Sequence, residues 1–211
     1  MGDDAIEGGL YIGFNITDLR RKKQQALLGY MCIDLLDPPA GAQWGHFNDR
    51  LVDPSWIRGL MESYEKGVDN CTDVTTIDAT VKRHWVSNLD KIMPSTEGEH
   101  IENVPMMMFT EAGMQEMVPN NFWMLGGNHR RLALDFWVKE QKKQLEIQRR
   151  LSGKLQKEQS TGYDIEKDQL IQEADQAICD LDEKIKKSRK WVLRLYDRGE
   201  CDRVSAMRIC E

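Results

Sequence analysis

The composition of the chain changes near residue 135, and this break constrains the fold more than any other sequence feature. All six prolines and most of the 16 glycines precede it, and both residue types interrupt regular secondary structure. After the break the chain is rich in Lys, Glu, Gln and Leu, which favour helix. The sequence therefore predicts an α+β fold, in which a small mixed-sheet domain is followed by long helices.

The helical part carries a regular apolar pattern. Between residues 171 and 195 the apolar residues follow one another at alternating spacings of three and four, which is typical of a coiled-coil seam. Residues 134–159 are also helical in pattern, and residues 160–164 supply a turn with capping residues. We expect an antiparallel helical hairpin over residues 135–198; pairing of this coiled coil with a protein partner or a second copy is the alternative. The seam positions are Ile171, Ala174, Ile178, Leu181, Ile185, Ser188, Val192 and Leu195.

The first part contains short apolar runs separated by loops. Asp53 is a favourable N-cap, and Pro54 suits the first position of a helix that Gly67 ends. Short runs of apolar and β-branched residues predict strands, and one pair of them would form an added hairpin. The predicted strands are residues 30–36, 105–109 and 122–125, and those of the hairpin are 74–77 and 81–86.

A glycine pair follows the apolar run at 122–125 and precedes the long helical segment. Gly126 and Gly127 allow unusual backbone angles and close approach by a ligand. The helix start that follows offers unpaired N–H groups and the positive end of a dipole, which suit a phosphate. Arg130 and Arg131 add forked cationic donors, and His129 is able to donate to phosphate or to move a proton. These residues predict a phosphate-binding loop; a tight turn with exposed arginines is the alternative.

The segment Gly127-Asn128-His129-Arg130-Arg131-Leu132-Ala133, with the strand, Arg50 and helix upstream, resembles the ParB/sulfiredoxin superfamily over residues 30–134. The resemblance implies a ParB/sulfiredoxin-like fold that binds a nucleoside triphosphate, CTP or ATP, with Mg²⁺. It places the phosphates on Arg50, Gly126, Gly127, Asn128, His129, Arg130 and Arg131. His129 is the catalytic candidate.

Asn128 departs from the family pattern. Sulfiredoxins carry a nucleophilic Cys at this position and ParB proteins a Glu, so Asn128 argues against sulfinic-acid reduction. Its carbonyl is a candidate ligand for Mg²⁺, but an amide is no general base. The first functional hypothesis is therefore a nucleotide-binding domain, with Mg²⁺-dependent NTPase or phosphotransferase activity left open. The alternative is a non-catalytic, nucleic-acid-associated (DNA-associated) module that recruits a partner through the coiled coil.

Composition bounds the partners and the compartment. The 35 acidic residues exceed the 29 basic ones, which weakens the case for nucleic acid except through local basic clusters. No apolar stretch approaches the roughly 20 residues of a membrane helix. The five cysteines are odd in number and form no CxxC pair, so we expect free thiols in an intracellular, cytoplasmic or nuclear, setting.

The expected division of the chain follows from these patterns. Residues 1–29 form a lead-in segment, 30–134 the ParB/sulfiredoxin-like domain and 135–198 the helical hairpin. We expect the tail at 199–211 to continue into a longer protein. The tryptophans at 44, 56, 85, 123 and 137 are candidates for stacking a base or for the core. The methionines at 106–108, 114 and 117 are expected to fill the core and to provide an adaptable surface.

Overall fold

The computed structural model describes residues 16–44, 51–72, 74–120, 122–159 and 165–199. Helices and a mixed sheet make up this part of the chain, which confirms the α+β class. The helices are α1 (Ile16–Ala26), α2 (Pro54–Lys66), α3 (Glu111–Asn120), α4 (Asn128–Gln159) and α5 (Ile165–Arg189). The strands are β1 (Leu27–Asp34), β2 (Ala42–Trp44), β3 (Ile77–Val81), β4 (Phe122–Met124) and β5 (Lys190–Asp197). Short 3₁₀ turns lie at Arg83–Trp85 and Leu89–Lys91.

The sheet has the strand order β1-β5-β3-β4-β2. Strand β5 pairs antiparallel with β1 and parallel with β3. Strand β4 pairs antiparallel with β3 and parallel with β2. The last described strand therefore lies between two earlier ones, so the sheet is complete only after the chain has passed through both long helices.

Strand β5 corrects the predicted extent of the hairpin. The sequence pattern assigned Val192 and Leu195 to the helical seam, but both lie in β5. Trp191, Val192, Leu193 and Leu195 are all buried. Because a strand covered on both faces reads as a nearly continuous apolar run, spacing alone does not separate it from a buried helix. The helix prediction is thus wrong for residues 190–197.

The antiparallel hairpin itself is present in α4 and α5. Ser152 donates a hydrogen bond to Asp175 (2.7 Å), and the Lys184 ammonium lies 5.2 Å from the centre of the Trp137 ring. A residue late in α4 therefore contacts a residue early in α5, and a residue early in α4 contacts one late in α5, so the two helices are antiparallel. A domain boundary between residues 134 and 135 would fall inside α4, because this helix begins at Asn128.

Helix α2 has the predicted start and end. The Asp53 carboxylate accepts a hydrogen bond from the Ser55 backbone N–H (2.8 Å), and Pro54 occupies the first turn. The Gly67 N–H donates to the Tyr64 carbonyl at the C-terminus (3.2 Å). The cap, the proline and the glycine together confirm the helix that the sequence predicted.

Partly buried polar contacts join α2 and the loop after it to the other helices. The Glu65 carboxylate accepts from the Trp137 indole (2.8 Å) and from Gln141 (3.0 Å) on α4. The buried Asn70 amide donates to the carbonyls of Lys187 (3.0 Å) and Lys190 (2.6 Å). Asn70 thereby satisfies backbone acceptors where α5 ends and β5 begins, a point at which helix carbonyls lack intrahelical donors.

Two predicted strand regions differ from the structure. In place of a hairpin at 74–77 and 81–86, the chain forms the single strand β3 and a 3₁₀ turn. Residues 105–109 make only isolated bridges rather than a strand. On one side of this segment the Asn88 side chain makes the hydrogen bonds that a neighbouring strand would otherwise make. Its amide N–H donates to the Met106 carbonyl (2.8 Å), and its side-chain oxygen accepts from the Met108 N–H (2.9 Å).

Glu116 connects α3 to the 3₁₀ turn after β3. Its carboxylate accepts hydrogen bonds from the Lys82 ammonium, from the His84 ring nitrogen (2.7 Å) and from the Trp85 indole (2.9 Å). These donors, Lys82 foremost, lower the pKa of Glu116 from 4.5 to about 2. The ionised form of Glu116 is therefore the one that holds these two elements together.

We predict that this connection weakens in acid. The pKa of Glu116 is depressed in the folded state, so its contribution to the free energy of unfolding is full above pH 4.5 and disappears as the pH falls towards 2. Urea unfolding of the wild type and of Glu116→Gln should show a stability difference that shrinks over this interval. A difference that stays constant with pH would contradict the prediction.

Candidate functional site

The glycine turn between β4 and α4 has two different glycines. Gly127 adopts a φ of +83°, and a Cβ there would lie 2.6 Å from the Ile77 Cδ1 atom. A Cβ on Gly126 would meet nothing within 4 Å. Both the backbone angle and the contact with β3 therefore demand glycine at 127, whereas local packing does not demand it at 126.

The turn opens directly into the first turn of α4. The Arg131 N–H donates to the Gly127 carbonyl (2.9 Å), so intrahelical bonding starts at Gly127. The N–H groups of Asn128, His129 and Arg130 precede the first donor that has an acceptor in the helix. Together with the helix dipole they favour an anion at this end of α4.

Arg130 uses its side chain to hold a neighbouring loop. Its two Nη atoms donate to the carbonyl oxygens of Thr75 (2.9 Å) and Val74 (3.1 Å). A charged fork that satisfies two backbone carbonyls stabilises the approach of the chain to β3. Arg130 was predicted to bind phosphate, but in this structure its guanidinium is already engaged by the protein.

Arg131 has donor capacity left over. Its Nε is buried and has no hydrogen-bond partner within the part of the chain that the structure describes. One Nη donates a long bond to the Asn128 side-chain oxygen (3.4 Å), and the guanidinium lies 5.5 Å from the centre of the Trp44 ring. An unsatisfied buried donor on a cation is unfavourable and calls for an acceptor.

His129 brings the starts of α2 and α4 together. Its Nε2 accepts a hydrogen bond from the Asp53 backbone N–H (3.2 Å), which places the ring proton on Nδ1. The His129 and Trp56 ring centres are 6.3 Å apart. The pKa of Asp53 is lowered, first of all by the hydrogen bonds that Ser55 donates to its carboxylate. His129 is thus a donor through Nδ1, while its Nε2 is occupied.

The structure thus separates the predicted site residues by role. Gly127, His129 and Arg130 make contacts that position the turn, while Asn128 and Arg131 lie beside each other at the helix start. Arg50 lies outside the described residues. Sequence spacing does not reveal the backbone partners of His129 and Arg130, because backbone atoms carry no sequence signature.

The tryptophans divide between core and site. Trp85 and Trp137 are buried, which rules them out as base-stacking surfaces. Trp44 lies against Arg131, and Trp56 stands next to His129 with 63% of its surface exposed. Both were candidates from the sequence, but only the structure distinguishes them from the buried tryptophans.

The described residues contain no group of three His, Cys, Asp or Glu side chains able to hold a metal ion. None of the described helices is long and apolar enough to cross a lipid bilayer. Cys32, Cys71 and Cys179 are free thiols.

Comparison of the chain with protein-family models, with curated proteins and with solved structures finds no significant match. The resemblance of the loop to the ParB/sulfiredoxin superfamily therefore rests on the motif in the sequence.

We predict that the two glycines respond differently to alanine. Gly127→Ala should destabilise the fold by about 1–3 kcal/mol, because it forces a positive φ on a residue with a Cβ and crowds Ile77. The matched control Gly126→Ala should change the free energy of unfolding by about 0.5 kcal/mol or less. Urea denaturation measures both; equal effects would show that the turn has a different conformation.

Proposed function

We propose that the chain binds a nucleoside triphosphate at the start of α4. The phosphates of the nucleotide contact the N–H groups of Asn128 and His129 and the guanidinium of Arg131. The observation that carries the proposal is the buried Arg131 Nε without a partner in the described chain, at a helix start that already favours anions. A phosphate oxygen is the acceptor that this donor lacks. The motif that resembles the ParB/sulfiredoxin superfamily points to the same ligand.

Trp56 supplies a surface for the base. Its exposed indole stands near the His129 ring, and base–aromatic stacking stabilises a bound nucleotide by about 1–3 kcal/mol. Trp44 is less suitable, because the Arg131 guanidinium lies against it. The ligand then extends from Arg131 to Trp56, with CTP and ATP as the nucleotides to test.

Magnesium has weak support from the residues themselves. Asn128 offers one neutral oxygen, which already accepts a hydrogen bond from Arg131, and the described residues contain no group of three His, Cys, Asp or Glu side chains able to hold a metal ion. Since Mg²⁺ in nucleotide sites is held largely by phosphate oxygens and water, it would arrive with the nucleotide. We propose binding alone, because the Asp53 carboxylate beside the loop already accepts hydrogen bonds from Ser55 and the Nε2 of His129 accepts one from the Asp53 N–H.

We predict that binding depends on Arg131. In titration calorimetry with CTP and ATP plus Mg²⁺, Arg131→Ala should weaken binding roughly ten- to a hundredfold, since a hydrogen bond to a charged group contributes about 1.5–3 kcal/mol. Arg131→Lys should bind with intermediate affinity, because it keeps the charge and loses the Nε donor. Trp56→Ala should weaken binding by losing the stacking surface.

The control is Arg150→Ala, which removes the same charge from an exposed position on α4 and should leave affinity unchanged. Circular dichroism melting verifies that each variant is folded. Absence of binding by the wild type to either nucleotide would refute the proposal. Phosphate release, followed separately, decides whether the bound nucleotide turns over.

A second candidate function, recruitment of a partner through the hairpin, is favoured by exposed apolar residues. Ile147 and Leu151 are four residues apart on α4, and each leaves nearly half of its surface exposed; Leu170 on α5 is 50% exposed. Residues four apart share one helix face, so Ile147 and Leu151 form a short exposed apolar stripe, which we infer to be an interaction surface. A second copy of the chain is the simplest partner, because it presents the same stripe.

We predict that this stripe drives self-association. Leu151→Glu should lower the mass measured by light scattering at high protein concentration, because it places a charge in the apolar contact. Gln172→Glu adds the same charge at an exposed position of α5 and should have no effect. A wild type that stays monomeric over the whole concentration range would exclude self-association.

A further inference from the structure

A small cluster of sulfur-containing side chains lies at the β1 edge of the sheet. In the strand order, β5 and β3 separate β1 from β4, which leads into the glycine turn. The cluster is centred on the buried Cys32 and is distinct from the main core. Its buried members are Tyr30, Cys32, Val104 and Val192, and Cys71, Met93 and Ile101 pack against them.

Backbone pairing fixes two methionines beside β1. Tyr30 and Cys32 are two residues apart, so their side chains share one face of the strand. Met93 forms a bridge with Tyr30, and Met106 forms a bridge with Cys32. The Cys32 N–H donates to the Pro105 carbonyl (2.9 Å). The position of Met106 relative to Cys32 is therefore set by the main chain.

The closest sulfur atoms are in contact. The Cys32 Sγ lies 3.2 Å from both the Met106 thioether sulfur and the Val104 carbonyl oxygen, and its single proton can be donated to either of them. Cys32 is fully buried, whereas Met106 is 38% exposed and opens the pair to solvent. Cys71 is half-buried at the same cluster, and its thiol lies 3.5 Å from the Glu99 carbonyl.

We propose that Cys32, Met106 and Cys71 bind a soft monovalent d¹⁰ cation, Cu(I) or Ag(I). Thiolate and thioether ligands select such ions, whereas Mg²⁺ and Ca²⁺ prefer oxygen. Structural zinc sites take four ligands from Cys, His and carboxylates. Here the Cys32 thiol lies against the Met106 thioether, and because a thioether is a ligand for soft ions, this pair favours Cu(I) or Ag(I) over zinc.

The geometry requires only a small adjustment. A metal–sulfur bond of about 2.3 Å, the length found for thiolate-bound zinc, places two trigonal ligands about 4 Å apart. The Cys32–Met106 pair, now 3.2 Å apart, therefore has to open slightly. Methionine is flexible enough to make this change, and the exposed side of Met106 leaves it room.

Binding exchanges protons for the ion. Burial raises the pKa of Cys32 to about 11 and also raises the pKa of Cys71, so the free protein holds neutral thiols at neutral pH. Cys32 and Cys71 each lose a proton to solvent as their sulfur–metal bonds form, and no electron is transferred. Affinity should therefore rise with pH, since metal and proton compete for the same sulfur.

The test is a Cu(I) titration of the full chain under anaerobic conditions against a chromophoric Cu(I) chelator. Loss of an outer-shell partner already weakens metal sites by roughly 10- to 100-fold, so Cys32→Ser and Met106→Leu should weaken binding at least as much. Met108→Leu and Cys179→Ser change the same residue types at exposed positions and should keep the wild-type affinity. X-ray absorption should show a first shell of sulfur alone.

Retention of wild-type affinity by either Cys32→Ser or Met106→Leu would overturn the proposal, as would loss of binding in Cys179→Ser. Met106→Leu preserves apolar volume, so it decides the question by itself if Cys32→Ser fails to fold. Proton release is the second readout: two protons, one from each thiol, should be liberated for each ion bound by the wild type, and binding without proton release would overturn the proposal.

Discussion

The pairing of β5 with both β1 and β3 is the interaction on which the rest of the structure depends. Because β5 follows the long hairpin, its place between two earlier strands forces α4 and α5 to leave the sheet and return to it. The buried Asn70 amide secures the return by satisfying the carbonyls of Lys187 and Lys190. On the adjacent strands Arg194 and Asp78 face each other at 2.7 Å. The orientation of α4, and with it the glycine turn, follows from this closure.

The motif at the start of α4 combines positioning with binding capacity. Gly127 packs on Ile77, Arg130 holds the carbonyls of Val74 and Thr75, and His129 accepts from Asp53. These contacts fix the turn against β3 and α2. These contacts do not involve the N–H groups at the start of α4 or the buried Nε of Arg131. For the proposed nucleotide, a turn already held by these contacts would lose little conformational freedom on binding.

The sulfur cluster and the glycine turn stand at strands that β5 and β3 separate. The turn offers N–H and guanidinium donors to a hard anion, whereas the cluster offers polarisable sulfur to a soft cation. Substitutions at one place therefore leave the other chemically intact. The three consecutive methionines have three different environments: Met107 is buried in the main core, Met106 contacts Cys32 and Met108 is exposed. The expectation of core filling and surface adaptability fits Met107, which lies in the core, and Met108, which lies at the surface.

Local signals in the sequence were sufficient for elements whose bonding is local. Asp53, Pro54 and Gly67 predicted α2 because caps and prolines act within one turn of a helix. The glycine pair likewise predicted the turn into α4. Tertiary structure alone decided the fate of residues 190–197, whose apolar run suits either a buried helix or a buried strand. They form a strand because β1 and β3, more than a hundred residues earlier in the chain, present two open edges between which β5 satisfies its backbone hydrogen bonds.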